Sequence, residues 1–351
     1  MEGFTNDTRF ATLVAEALGG DKFTLIDVGC SGGIDSVWRV FGDKLQAIGF
    51  DPNIHECERL QNLESNKHVR YVPAFVGINP DHPFAKQKAG RPHTARNPWS
   101  RLSVHRTIEL RQAEIARMSA DEKTQMNAWT QVSLADPTRP IILPEFFRTQ
   151  GLDDIDFIKI DIDGGDFDVL QTLGDALRER SVLGLGLEVN WIGSDWETDH
   201  TFHNTDRFMR KAGYDLFNVT IRRYSAAALP SRYELTIPAQ STLGRPLQGD
   251  ALYLRDLCAP ENAEFAGRLT PSKLLRESAL MALANLPDHA AEILVEFRDK
   301  LAAICNVERL LDSLVLQIRP GTDLTYAQYI AAFEENNSMF YPTRPQVESR
   351  Q

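Results

Sequence analysis

Short apolar runs alternate with stretches whose apolar positions recur at helical spacing. The runs Phe23–Val28, Leu45–Phe50, Val69–Val76, Phe157–Ile162 and Val182–Val189 are nearly continuous, as strands covered on both faces are. Between them lie helical patterns. Phe10, Leu13, Val14 and Leu18 share one face ahead of Gly19-Gly20. A helix in which Val37, Val40 and Phe41 share the apolar face follows the first strand. Further helices are expected over Ile54–Asn62, Pro144–Thr149 and Asn204–Lys211, the last closed by Gly213. Strand and helix in alternation predict a doubly wound α/β domain. Two more strands, Asp215–Ile221 and an antiparallel Ala251–Leu254, would complete a seven-stranded, mostly parallel sheet, with a Pro-rich loop (Pro230, Pro238, Pro246) between them.

Two segments break the alternation. From Asn79 to Trp129 a polar stretch is punctuated by Pro80, Pro83, Pro92 and Pro98 and carries His82, Arg91, His93, Arg96 and Arg101. Helical pieces follow, one over Val104–Met118 and one starting at Ser119, where Ser119 and Glu122 have capping-box spacing. This is an insertion or lid, whose basic residues either meet an anionic substrate or form a solvated face. Past Pro260 the pattern is helical, with a start at Thr270-Pro271 and apolar positions Ile293, Phe297, Leu301, Ile304, Val307, Leu311 and Leu314. The expected organisation is a sheet domain over 1–257 with an insertion at 79–130, a helical extension over 258–335 and a loose tail over 336–351. The extension packs on the sheet domain or makes a homodimer contact.

Chemistry concentrates at the strand ends. The first strand closes in Asp27-Val28-Gly29-Cys30-Ser31-Gly32-Gly33, where glycines permit a tight turn and close approach to a ligand. The spacing is Asp-x-Gly-x-x-x-Gly, without the Gly-x-Gly-x-x-Gly of nicotinamide dehydrogenases. A leading acid suits a ligand with a cationic amine and no phosphate, such as S-adenosylmethionine. The second strand ends in Asp51-Pro52-Asn53, where such folds grip ribose hydroxyls and where the same acid also starts a turn. Phe75 at the third strand end would lie near an adenine, or simply be buried. The fourth strand ends in Asp161, Asp163 and Asp166. The fifth ends in Glu188, Asn190 and Trp191, with Trp196, Asp199, His200 and His203 beyond it.

Charge and composition narrow the partners. A net charge of -11 and a pI near 5.3 argue against a phosphate-backbone binder, so no nucleic-acid partner is expected. No apolar run approaches the length of a membrane span, and the polar first residues show no signal peptide. Cys30, Cys57, Cys258 and Cys305 lack metal-type spacing and read as reduced thiols of a cytoplasmic protein.

The chain resembles the FkbM family of S-adenosylmethionine-dependent methyltransferases over roughly residues 20–256. The matching segments are Ile26-Asp27-Val28-Gly29, Gly49-Phe50-Asp51-Pro52-Asn53, Ile155–Asp161 with Gly164, Leu185–Asn190, Lys211–Tyr214 and Gly249–Arg255. It departs in having Asp at 51, 163 and 166, where the family usually has Glu, and in the long insertion and helical C-terminus. The resemblance implies a class I methyltransferase (Rossmann-like) fold and O-methylation of a sugar, glycan or secondary-metabolite hydroxyl. It also implies that Asp27, Gly29, Gly33 and Asp51 hold the cofactor. Cys30, Ser31, Pro52, Phe75 and Asp161 are neighbouring cofactor candidates.

Methyl transfer from a sulfonium is an in-line displacement that needs the acceptor oxygen aligned and its proton removed. Candidate bases are Asp161, Asp163, His200 and His203. Alternatively Asp161, Glu188 and Asn190 offer oxygen ligands to Mg²⁺, which would acidify the hydroxyl. Two rival classes stand beside this reading. One is a non-catalytic binding or scaffold protein that keeps the fold, the other a nicotinamide-dependent oxidoreductase.

Overall fold

The computed structural model describes residues 4–89, 98–129, 133–233 and 240–340. Arg91, Pro92, His93, Arg96, Pro238 and the tail 341–351 lie outside the described residues. Residues Lys22–Arg268 form one compact unit, and Phe4–Asp21 with the chain from Leu269 onward form a second. The expected sheet domain over 1–257 therefore differs from the first unit in two places: the helix Arg9–Ala17 belongs to the second, and residues 258–268 to the first.

The first unit is built on one sheet. Its strands are β1 (Phe23–Val28), β2 (Leu45–Asp51), β3 (Val69–Pro73), β4 (Phe157–Ile160), β5 (Gly184–Asn190), β6 (Asp215–Val219), β7 (Arg222–Tyr224) and β8 (Arg245–Leu254). The order is β3-β2-β1-β4-β5-β8-β6, with β7 also on β8. β1 to β5 pair in parallel, and β8 runs antiparallel to β5, β6 and β7. Order reverses between β1 and β4, and the crevice beyond the carboxyl ends of those strands is where open α/β sheets bind ligands. Buried Ile26, Ile48, Phe50, Ile158, Leu185 and Tyr253 carry the sheet's main core.

Among the described residues the sheet has eight strands where the sequence pattern predicts seven. β8 begins at Arg245, so Pro246 lies in a strand instead of a loop, and β7 pairs with that added length. Gly249 and the polar Gln248 and Asp250 hide this strand from an apolar-run reading. Gly249 is needed because a Cβ there would lie 1.9 Å from the Thr220 carbonyl oxygen. The third strand is shorter than expected. Its ladder with β2 stops at Pro73, and Val76 then bridges to Ile141. After the glycine turn comes not a regular helix but 3-10 turns over Ser36–Lys44, broken at Gly42. Their three-residue period buries Trp38 and Phe41, which stack on Phe23 at 5.3 and 4.3 Å, and leaves Val37 and Val40 only partly covered.

The insertion contains the helices Pro83–Ala89, Ser103–Arg117 and Ala120–Trp129. The Ser119–Glu122 capping box is formed, each residue's side chain accepting from the other's backbone N–H. The Ser103 N–H donates to the Ser225 carbonyl, and Leu102 packs with Tyr224 and Leu247, rooting the long helix on β7 and β8. Ser133–Ala135 then returns past the β2 end, its backbone bonded to Pro52 and Ile54.

The second unit is helical: Arg9–Ala17, Pro271–Leu283, Pro287–Glu296, Val307–Ile318 and Tyr326–Glu335 are its longer helices. Thr270 caps the second of these, as its Thr-Pro start predicts. The stretch expected to be loose from residue 336 starts with a 3-10 turn over Asn337–Phe340, where Phe340 meets Tyr329 and Phe333. Among the described residues no helix is long and apolar enough to cross a membrane.

Candidate active site

The turn after β1 is fixed by backbone bonds. The N–H groups of Gly29 and Cys30 both donate to the Phe50 carbonyl, at 2.9 and 3.0 Å, and Gly33 N–H donates to the Cys30 carbonyl. Gly29 has φ +86°, and a Cβ there would lie 1.8 Å from the Asp161 carbonyl oxygen, so β1 and β4 meet here with no room for a side chain. Lys159 in β4 reaches across. Its Nζ donates to the Gly29 carbonyl at 3.0 Å and stands 3.4 Å from both Asp27 Oδ1 and Asp161 Oδ2. Burial would depress the Lys159 ammonium, but the two carboxylates hold it above the usual lysine range. Burial pushes Asp27 up to about 6 against the pull of Lys159. Oδ1 of Asp27 feels the ammonium as a charge without a well-directed hydrogen bond.

Around the turn the expected cofactor residues divide by what they can offer. Ser31 is exposed at the turn. The Cys30 side chain is packed beneath Gly49, where an added Cβ would meet its sulfur at 2.7 Å, and burial pushes its thiol up. Cys30 therefore has only its backbone to give a ligand. Asp51 is buried and accepts from Asn53 N–H at 2.8 Å, which is the turn-starting role. A carboxylate oxygen has a second lone pair, so that bond does not exhaust it. The Pro52 carbonyl is taken by Ala135 N–H, and half-buried Phe75 gives its carbonyl to Ile141 N–H. Glu56 was not expected here. Asn53 caps the helix Ile54–Leu63, which places Glu56 where its carboxylate accepts from Gly32 N–H at 3.1 Å.

Beyond β4 and β5 the carboxylates have separate jobs. Asp166 is buried and accepts from the N–H groups of Ile162 and Gly164, closing the loop that follows β4. Asp163 is exposed at the tip of that loop with φ +55°, a conformation Asp tolerates. Glu188 is buried and accepts from Arg222 Nη1 at 2.8 Å and Gln248 Nε2 at 2.6 Å. Arg222 also forks onto Asp250 at 2.7 and 2.8 Å. Burial, reinforced by the negative charges of Asp161 and Asp166, pushes Glu188 up to about 7 in spite of Arg222.

His200 sits over this group. Its Nε2 is 3.0 Å from the Glu188 carbonyl, which can only accept, so in the neutral ring Nε2 carries the hydrogen. Nδ1 then holds the lone pair, 3.3 Å from Asn190 Nδ2 and 3.9 Å from Asp166 Oδ2. The ring lies parallel to Phe167. His203 is exposed and 3.5 Å from the Thr201 hydroxyl. The structure thus gathers Asp161, Glu188, Asn190 and His200 with Asp166, and leaves Asp163 and His203 outside that group.

Residues 27–216, more than half of the 351, match the family model described as the methyltransferase FkbM domain. The chain belongs to the FkbM methyltransferase family. No curated protein matches it. Among solved structures it is similar to magnesium protoporphyrin IX methyltransferase from Synechocystis PCC 6803, solved with bound SAM, at 10% identity and TM-score 0.31, covering 71% of this chain and 77% of that one. It is also similar to precorrin-6y C5,15-methyltransferase from Geobacter metallireducens GS-15 at 9% identity and TM-score 0.30, covering 73% and 93%. Likeness at this level assigns no role to any residue. The sheet order, the glycine turn and the family match make the fold that of a class I methyltransferase, whose methyl donor is S-adenosylmethionine.

The residues of this FkbM domain fit that donor. Gly29 lets the β1 end close on β4, Gly33 lets the turn lie against Leu60, and Asp51 stands at the β2 end. Asp51 and Asp166, which no Lys or Arg pairs among the described residues, leave carboxylate charge that favours a cationic sulfonium and ammonium. A resident Mg²⁺ does not fit as well. Glu188 already binds the Arg222 cation, Asp161 is paired with Lys159, and the Asn190 amide faces His200. Sequence reasoning also missed Arg222 and Gln248, which bond Glu188, and Asp250, which shares Arg222 with it.

Past the β5 end lies a cavity of about 280 Å³, lined in part by Asn190, Trp191, Ser194, Phe202, His203 and Arg245. Trp191 and Phe202 hold their rings 4.5 Å apart.

Proposed function

We propose that this FkbM domain transfers a methyl group from S-adenosylmethionine to a hydroxyl oxygen of a sugar, glycan or secondary-metabolite acceptor, with His200 as the base. The donor, when bound, supplies an electrophilic methyl carbon on a positively charged sulfur. The observation that carries the reading is the state of His200 beside the crevice. Its tautomer is set by the Glu188 carbonyl, which leaves the Nδ1 lone pair on the side of Asn190 and Asp166. Once the Asn190 amide releases that lone pair to the acceptor hydroxyl, a neutral imidazole there takes the acceptor's proton at Nδ1, and the Asp166 carboxylate steadies the resulting imidazolium. Gly29, Gly33 and Asp51 hold the donor, and Asp161 with Lys159 braces the turn beneath it.

The test is S-adenosylhomocysteine release during incubation with S-adenosylmethionine and a panel of hydroxylated acceptors, run on wild type and His200→Asn. Removal of a general base lowers turnover by about 10²–10⁴-fold. S-adenosylhomocysteine affinity, measured by calorimetry, stays within a few-fold in the variant. Full turnover in His200→Asn removes His200 from the mechanism. A folded wild type that does not bind S-adenosylhomocysteine removes the enzyme reading and favours a scaffold that keeps the fold.

A further inference from the structure

The cavity past β5 differs in charge from the crevice beside it. The crevice is built from carboxylates: Asp27, Asp51, Asp161, Asp166 and Glu188. The cavity has Arg245 and His203 on its wall, and none of its lining residues is an acid. This is unexpected in a chain with 49 Asp and Glu against 38 Lys and Arg. Two acids of the loop stand close by: Asp195, next to Ser194, is exposed, and Asp199 lies behind Gly193 and Ser194. Asp199 Oδ2 accepts from the N–H and the hydroxyl of Ser194, at 2.6 and 2.9 Å.

Arg245 is exposed on β8, and among the described residues its guanidinium has no carboxylate partner. Trp191 leans on Phe202, and its indole nitrogen lies 3.1 Å from where a Cβ on Gly249 would stand. Asn190 belongs both to the cavity wall and to the His200 contact, so the cavity and His200 are neighbours through that one residue.

We propose that this cavity is the acceptor subsite and that it takes an acceptor carrying an anionic group, a phosphate or a carboxylate, next to a ring. The anion binds Arg245 and His203, the ring lies against Trp191, and the hydroxyl reaches the Asn190 end. The acceptor role rests on the methyltransferase reading, whereas the anion site stands on the cavity itself. A planar guanidinium suits both phosphate and carboxylate, because each accepts two parallel N–H bonds.

The experiment uses the full chain labelled with ¹⁵N at the tryptophan indoles. The Trp191 signal is identified by its loss in Trp191→Phe, and the signals of the other four tryptophans report on the fold. Inorganic phosphate and acetate are titrated separately at constant ionic strength, with and without S-adenosylhomocysteine. The expected result is a saturable shift of the Trp191 signal with at least one of the two anions, weakened about tenfold or more in Arg245→Gln and partly kept in Arg245→Lys. A response to phosphate alone identifies a phosphorylated acceptor, and a response to acetate alone a carboxylated one. No saturable shift with either anion, or equal shifts in wild type and Arg245→Gln with the other indole signals unmoved, overturns the proposal. Failure of S-adenosylhomocysteine to bind overturns the methyltransferase reading, while the anion titration still decides the site.

Discussion

Gly29→Ala tests whether the turn after β1 is shaped by contact with β4 or merely by backbone conformation. Gly32 in the same turn is the natural control. Both glycines have positive φ, +86° and +82°. An alanine at either is strained by about 1–3 kcal/mol. The surroundings differ. A Cβ on Gly32 would meet nothing within 4 Å, whereas one on Gly29 would lie 1.8 Å from the Asp161 carbonyl oxygen and 2.8 Å from its carbon. Backbone cannot swing aside as a side chain does, and Asp161 N–H is itself bonded to the Val28 carbonyl at 3.0 Å. Relief therefore requires prising the β1 and β4 ends apart, an overpacking cost of about 1–3 kcal/mol more. Gly32→Ala is expected to lower the thermal midpoint modestly and to keep S-adenosylhomocysteine binding. Gly29→Ala is expected to lower the midpoint further and to lose binding, because the Gly29 carbonyl that holds Lys159 moves with the strand end. Calorimetry of both variants, scanning and titrating, reads the two effects. Equal midpoints and equal affinities in the two variants would refute the argument from contact.

Three further outcomes follow from the charged groups. Glu188 titrates at about 7 in the folded chain against an ordinary 4.5. A carboxyl raised on folding binds its proton more tightly when folded, so its contribution is fully present below about 4.5 and is lost as pH rises through 7. Urea midpoints measured between pH 5.5 and 8 should therefore fall with pH in wild type and fall less steeply in Glu188→Gln; the same slope in both would exclude Glu188 as the cause. Arg222→Leu leaves Glu188 and Asp250 without their shared cation and should destabilise by about 1.5–3 kcal/mol, with Arg222→Lys between it and wild type because an ammonium cannot fork; a urea midpoint for Arg222→Leu equal to wild type would refute this. Asp166→Asn should lower turnover more than Asp163→Asn, since Asp166 closes the loop beneath His200 while Asp163 is exposed at its tip; the reverse order would move the chemistry to the loop tip.

The parallel half of the sheet was legible because buried parallel strands are written as apolar runs, and β1, β2, β4 and β5 stand within a residue or two of those runs. At the antiparallel end β6 and the Ala251–Leu254 part of β8 were legible too, whereas β7 and the start of β8 were not. Gln248 and Asp250 alternate with Leu247, Gly249 and Ala251 because one face of β8 meets Glu188 and Arg222 while the other is buried. A strand serving a polar site reads as a loop. The turn after β1 was legible as glycines following an acid, but the partner of that acid was not. Lys159 stands inside an apolar run, and only the register of β1 against β4, with Asp27 opposite Lys159, brings the two together.

The same register argument explains why His200 could be named from sequence only as one of several bases. Its proton arrangement depends on a backbone carbonyl of β5 twelve positions earlier, and Asp166, 3.9 Å from its Nδ1, looks in sequence like an ordinary helix start. Asp163 and Asp166 are chemically alike and three residues apart. The left-handed backbone at Asp163 turns that carboxylate out to solvent, while the N–H groups of Ile162 and Gly164 turn Asp166 inward. Glycine at 164, with φ +125°, lets the chain make that reversal between them. The division between a loop-tip acid and an acid facing His200 is thus set by backbone geometry over three residues, below the scale at which residue type or spacing carries information.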